Sequence, residues 1–182
     1  MMQEFKSAHE SRVSITELML PSHSNFGGKV HGGHILNLMD QIAFACASKH
    51  SQCYCVTASV NRVDFLHPVE VGELLTLRAS INYTGRTSMV VGVRVESENI
   101  TKGTKRHCNS SYFTMVAKDE DGKSISIPGL ILENEQGVRR FARSKKRKEE
   151  AFIRDTQFES SHFNMKEHLE GLKDENVKLS LH

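Results

Sequence analysis

One segment constrains this chain more than any other. It runs Gly32-Gly33-His34-Ile35-Leu36-Asn37-Leu38-Met39-Asp40-Gln41-Ile42-Ala43-Phe44-Ala45-Cys46-Ala47. Apolar residues at 35, 36, 38, 39 and 42–47 wrap nearly every side of a helix, and a helix of that kind is normally buried. Asp40 then falls among Leu36, Ala43 and Phe44, its helical neighbours three and four positions away. A buried, unpaired carboxylate is costly, so it persists when it is paired, protonated or used. Gly32 and Gly33 let another group approach the helix start closely, where free amides attract negative charge. The segment therefore supplies a carboxylate, Asp40, and a candidate donor to an oxyanion, the Gly33 N–H.

The surroundings of that helix read as strands. Val13 to Leu20 alternates and stops at Pro21. Ser22 to Gly33 is a loop. After the helix, which extends to about Lys49, four long strand-like segments follow: Tyr54 to Leu66, Leu74 to Thr84, Ser88 to Ser97 and Arg106 to Lys118. Alternation puts Met89, Val91, Val93 and Val95 on one face, with Ser88, Val90, Gly92, Arg94 and Glu96 on the other. Asp121-Gly122 marks a tight turn. Strand, buried helix and consecutive strands with short turns predict an α+β fold, an antiparallel sheet packed on one long central helix. One sheet face cannot cover a helix that is apolar all round, so a second copy of the chain is expected to cover the remainder. Residues 1–11 read as a loose lead-in.

A domain over 12–132 and a basic helical extension and tail over 133–182 are the expected division. Lys plus Arg is 24 against 22 for Asp plus Glu, a formal charge of +2, which does not call for nucleic acid. The basic run Arg139 to Lys148 reads as a solvated helix face, or as a partner to a phosphate-bearing ligand, and lacks the interleaved aromatics of a nucleic-acid surface. Cysteines at 46, 53, 55 and 108 contain no Cys-x-x-Cys pair and give no zinc framework. His31 and His34 lack a third ligand, so no metal is expected. Met1 to Arg12 is polar, and no apolar run reaches the roughly 18 residues of a membrane span. A cytoplasmic protein without membrane insertion is expected.

Asn25-Phe26-Gly27-Gly28-Lys29-Val30-His31-Gly32-Gly33 followed by Leu36-Asn37-Leu38-Met39-Asp40 resembles the hotdog-fold acyl-CoA thioesterases, in the branch of bacterial and brain-type cytosolic acyl-CoA hydrolases. Val60 to Phe65, Pro68 to Glu73, Gly85 to Met89 and Ser111 to Ala117 carry the likeness further, over about residues 12–148. The resemblance implies an antiparallel sheet wrapped around one long helix, with protomers paired and assembled as a trimer of dimers. It implies an active site at the dimer interface, with the asparagine from one chain and the aspartate from the other. Those positions match Asn25 and Asp40.

The implied reaction is hydrolysis of an acyl-CoA thioester to a free acid and CoA, with no cofactor. Asp40 is expected to act as general base or as nucleophile, Asn25 to position water or carbonyl, and Gly33 to polarise the carbonyl. For the CoA moiety the candidates are His31 at the entrance, Arg62, and Arg86, Thr87 and Ser88 at a strand start. Arg94, beside Gly92 on the face turned from the helix, is a candidate for a subunit bridge or a nucleotide contact. The alternative is a non-catalytic acyl-CoA sensor on the same fold, and the retention of both Asn25 and Asp40 speaks for the enzyme. A hydratase of the same fold would need an acid–base pair, often including a histidine, and the histidines here do not occupy the helix interior.

Overall fold

The structure, a computed structural model, describes residues 4–160 and, beyond them, 165, 169, 171, 172, 175–178 and 180. Of the expected tail after residue 150, residues 161–164, 166–168, 170, 173, 174, 179, 181 and 182 lie outside the described residues. In chain order the elements are β1 (Phe5–Ser7), α1 (Ala8–Ser11), β2 (Val13–Leu18), a 3-10 turn (Pro21–His23), α2 (Gly32–Ser51), β3 (Tyr54–Val60), β4 (Leu74–Thr84), β5 (Ser88–Asn99), β6 (Thr104–Lys118), β7 (Gly129–Ile131) and α3 (Glu135–Ser160). Two compact units divide the chain, Met1–Lys145 and Lys146–His182. Both sheets and the whole core belong to the first. The described part of the second is mainly helical.

Five strands pair antiparallel in the order β2-β4-β5-β6-β3, and α2 packs against every one of them. Register shifts at Ile81/Tyr83, Val95/Glu96 and Thr57/Ser59 bend the strands around the helix, as bulges do. Alternation works as expected: Met89, Val91, Val93 and Val95 on β5 face α2 and are buried together with Phe113, Met115 and Ala117 on β6. This is the hotdog arrangement.

α2 starts where His31, its N-cap, accepts the Gly33 N–H on its ring, and it stops at Gln52, a left-handed residue whose N–H returns to Ser48 O. One stripe is buried: Ile35, Leu38, Met39, Ile42, Ala43, Cys46, Ala47 and His50. The opposite stripe is not. Leu36, Asn37, Asp40, Gln41, Phe44 and Ala45 are exposed in the single chain, which corrects the expectation of a helix, and an aspartate, buried on all sides.

Two other differences have local causes. Residues 5–11 are ordered structure rather than a loose lead-in. β1 pairs in parallel with β7, and Ser7 and Glu10 form a reciprocal capping box on α1. Strands of three residues carry no readable alternation. β3 ends at Val60 instead of Leu66. Beyond it the chain leaves the ladder and is held by single bonds from Asn61 N to Tyr112 O and from Leu66 N to Cys108 O. Among the described residues, no helix is long and apolar enough to cross a membrane.

Candidate active site

Asp40 sits on the open stripe of α2, and β3 supplies its partner. The Thr57 hydroxyl donates to Asp40 Oδ1 at 2.6 Å, a short bond of the charge-assisted kind. Among the described residues, the second carboxylate oxygen has no hydrogen-bond partner. Thr57 was not picked out from the sequence. In the chain it is one more β-branched residue of a strand, and only the crossing of β3 over α2 brings it to the carboxylate.

Asn25 stands on the loop between the 3-10 turn and α2. Its side-chain oxygen accepts the N–H groups of Gly27 (2.9 Å) and Lys29 (3.2 Å), and its own N–H donates to Lys29 O. Gly28 takes φ +74°, so this tight turn needs a glycine there. Among the described residues the Asn25 side-chain nitrogen takes no part in these bonds, and the neighbouring Phe26 is fully exposed. No hydrogen bond joins Asn25 to Asp40 within one chain, among the described residues.

The helix start differs from expectation. The Gly33 N–H is not open: it donates to His31 Nδ1 at 3.0 Å. His31, expected at the CoA entrance, is therefore the N-cap of α2, and the amide expected to polarise a carbonyl is covered by its ring. The other candidates scatter. Arg62 lies beyond the end of β3, highly exposed, with its Nε on Asp64 at 2.7 Å. Phe65 in the same loop closes over Gly32, where an added Cβ would meet the ring at 3.4 Å. Arg86 lines an open groove of about 880 Å³ with Thr84, Gly85 and Phe141, and Thr87 O accepts the Ala117 N–H. Ser88 pairs with Val116, next to the Met115 that pairs with Thr57, so β6 separates this corner from Asp40. Arg94 lies on the opposite face of the sheet. It lines a cavity of about 590 Å³ with Arg12, Arg78 and Arg140, and Arg78 and Arg94 both donate to Glu96. The Arg78 bond first, and Arg94 after it, hold the Glu96 carboxyl below the usual carboxylate range.

Among the described residues, one histidine cluster has the donor set of a metal site: Glu17, His23 and His34, with ligand-type atoms within 4.8 Å of one another. The two rings stack at 4.0 Å, and His34 Nε2 lies 3.3 Å from Glu17 Oε1. The Leu20 N–H donates to His23 Nδ1, which puts the proton of the neutral ring on Nε2, facing the carboxylate. A metal-bound histidine has the opposite polarity, donating from its second nitrogen. The cluster thus links β2, the 3-10 turn and α2 by ring stacking and by the approach of both rings to the Glu17 carboxylate. Cys46 and Cys55 offer no nucleophile either: burial pushes Cys46 up to about 12 and raises Cys55 as well.

Comparison with known proteins agrees with this geometry. The Thioesterase superfamily model matches residues 27–104. Protein VdlD of Helicobacter pylori is 42% identical over 143 residues, 79% of this chain and 82% of that protein. An apo-hexameric acyl-CoA thioesterase superposes with a TM-score of 0.81 at 38% identity, covering 84% of this chain and 97% of the other. The acyl-CoA hydrolase of Staphylococcus aureus, solved with butyryl coenzyme A, coenzyme A and coenzyme A disulfide, has a TM-score of 0.78 at 29% identity, covering 92% of this chain and 98% of its own. The same S. aureus enzyme has been solved with an aspartate, an asparagine or a threonine replaced by alanine. Sequence, fold and relatives converge: the chain belongs to the hotdog-fold acyl-CoA thioesterases.

Proposed function

We propose that this chain hydrolyses acyl-CoA thioesters to a free acid and CoA, with Asp40 as the reacting carboxylate. The observation that carries the reading is the Thr57–Asp40 bond of 2.6 Å on the open stripe of α2. It fixes one carboxylate oxygen and leaves the other for chemistry. Two routes use this geometry. As a base, Asp40 takes a proton from water while the hydroxide attacks the carbonyl carbon, the C–S bond breaks and the thiolate leaves to be protonated. As a nucleophile, Asp40 attacks first, expels the thiolate and leaves an acyl anhydride for water to open.

The same spacing supports the assignment. Asn25, Asp40 and Thr57 follow one another at the intervals that separate the asparagine, aspartate and threonine replaced in the S. aureus enzyme. In this reading Asn25 reaches the site of a partner chain, with its free amide nitrogen on water or carbonyl. The Gly33 N–H joins the oxyanion donors when the His31 ring swings off it. Phosphates of CoA meet Arg62 and the Arg86–Ser88 corner, and Arg94 belongs to contacts on the outer sheet face. Paired protomers, assembled as in the hexameric neighbours, cover the exposed Leu36 and Phe44 and the unpaired edge of β3. A cytoplasmic location suits four free thiols.

Thiol release from a panel of acyl-CoAs tests this, with wild type and Asp40→Asn side by side. The expected result is release by wild type and almost none by a variant of unchanged oligomeric size. Equal turnover by the two proteins removes Asp40 from the mechanism.

A further inference from the structure

Phe44 and Tyr54 form an exposed aromatic pair that neither the core nor the catalytic residues use. Phe44 is 40% exposed and Tyr54 63%. Their rings meet edge to face, with centroids 5.9 Å apart, the geometry in which such rings attract. Their position gives the pair its meaning. Thr57 to Asp40 and Tyr54 to Phe44 are successive contacts between β3 and α2, because strand and helix are traversed in opposite directions. The aromatic contact therefore follows the catalytic one by a single helical turn, about 6 Å along the axis.

Resting on the thioesterase reading above, we infer that Phe44, backed by Tyr54, is the stop that sets acyl chain length. A carbonyl held at Asp40 has two substituents. The sulfur side carries the polar pantetheine and phosphates. The other is a hydrocarbon, which leaves water for apolar surface. Toward the C-terminus of α2, the open stripe beyond Asp40 and Gln41 continues through Phe44 and Ala45 to Lys49, and its large apolar side chain is the Phe44 ring. Toward the N-terminus it meets Leu36 and Asn37, the capped helix start and the Arg62 loop. A chain that turns toward the aromatic end runs into the Phe44 ring after about 6 Å, room for roughly four or five carbons. The pair thus selects short acyl chains and disfavours long ones.

The test is kcat/KM over straight-chain acyl-CoAs from acetyl to palmitoyl, for wild type, Phe44→Ala, Phe44→Trp and Tyr54→Ala, with oligomeric size measured on each. Wild type is expected to peak at short chains. Phe44→Ala is expected to raise the long-to-short ratio of kcat/KM about tenfold or more, the scale at which a pocket sorts single methylenes. Tyr54→Ala shifts the ratio the same way by less, and Phe44→Trp shifts it toward shorter chains. A role confined to packing would lower all substrates together. Active variants whose chain-length profile is unchanged overturn the inference and leave the thioesterase reading intact. Should Phe44→Ala dissociate, Phe44→Leu takes its place under the same criterion. A wild type inert toward the whole panel overturns both.

Discussion

Thr57→Val removes a hydroxyl from beside Asp40 and changes little else. Valine keeps the branched shape and the strand preference of threonine, and its added methyl group faces the Met115 sulfur, which already lies 3.4 Å from Thr57 Oγ1. What is lost is the donor to Asp40 Oδ1 at 2.6 Å. Both residues are exposed in the chain, so folding should lose less than about 1 kcal/mol. Catalysis should lose more, because in a site closed by substrate the bond to a charged acceptor is worth roughly 1.5–3 kcal/mol. If that whole amount serves to orient the carboxylate in the transition state, kcat falls about 10- to 150-fold. KM should stay near wild type, since the hydroxyl already has its partner before substrate arrives. Steady-state thiol release on one acyl-CoA gives both constants, and a thermal melt checks the fold. Thr57→Ser, which restores the donor without the methyl, should recover most of the rate. Valine and serine variants impaired to the same degree would show that the side chain matters for packing, and a valine variant with wild-type kcat would show that the bond does nothing for the reaction.

Two further outcomes follow from the geometry. Asn25→Ala and Asp40→Asn should each be poorly active alone, and oligomers assembled from a mixture of the two should regain turnover, because some interfaces then pair an intact Asn25 with an intact Asp40; a mixture no better than its parents would place both residues in one chain's site. His50 should make stability sensitive to acid. It is buried between Ser11 and the Pro128 carbonyl, and burial holds its folded-state pKa below the ordinary 6.5. The unfolded chain therefore binds more protons between those two values, so stability is complete above about pH 6.5 and falls as pH drops through that window. Melting temperatures of wild type and His50→Asn between about pH 7.5 and 5 check this: the wild type should lose stability more steeply on acidification, and parallel curves would refute the assignment.

What could be read from the chain and what could not divides along physical lines. Period-two alternation in β5 depends on one buried face, so Met89, Val91, Val93 and Val95 separate correctly from Gly92 and Arg94 on the face turned from the helix. β1 and β7 were missed because three residues show no period, and their pairing depends on Phe5 lying against Gly129, where an added Cβ would come within 2.5 Å of the ring. Asn25, His31, Gly33 and Asp40 were legible as one motif, but their local bonds were not. That His31 covers the Gly33 amide is a matter of one ring torsion, and a sequence fixes residue types at a helix start without fixing which lone pair an amide finds. Thr57 and the Glu17–His23–His34 cluster share a different obstacle. Their members are far apart along the chain and meet only because β2 and β3 both cross the same helix.

The error over Asp40 has the most to teach. Apolar residues on every side of α2 implied burial on every side, yet Leu36, Phe44 and Ala45 stand open beside an open carboxylate. The pattern and the chain disagree only if the single chain is taken as the unit that must bury the pattern. Exposed apolar area of this kind is unfavourable at roughly 25 cal/mol per Å², and a protomer that left the Leu36, Phe44 and Ala45 stripe in water would carry that cost permanently. A second copy laid across the stripe removes it. Under the proposed function the same step moves Asp40 from bulk water to surroundings of lower dielectric, where an ion or a hydrogen bond counts for more, and brings a foreign loop with its Asn25 amide to the carboxylate. Under the proposed function, the apolar stripe and the catalytic group lie on one surface because assembly must close the site and cover the helix in a single event.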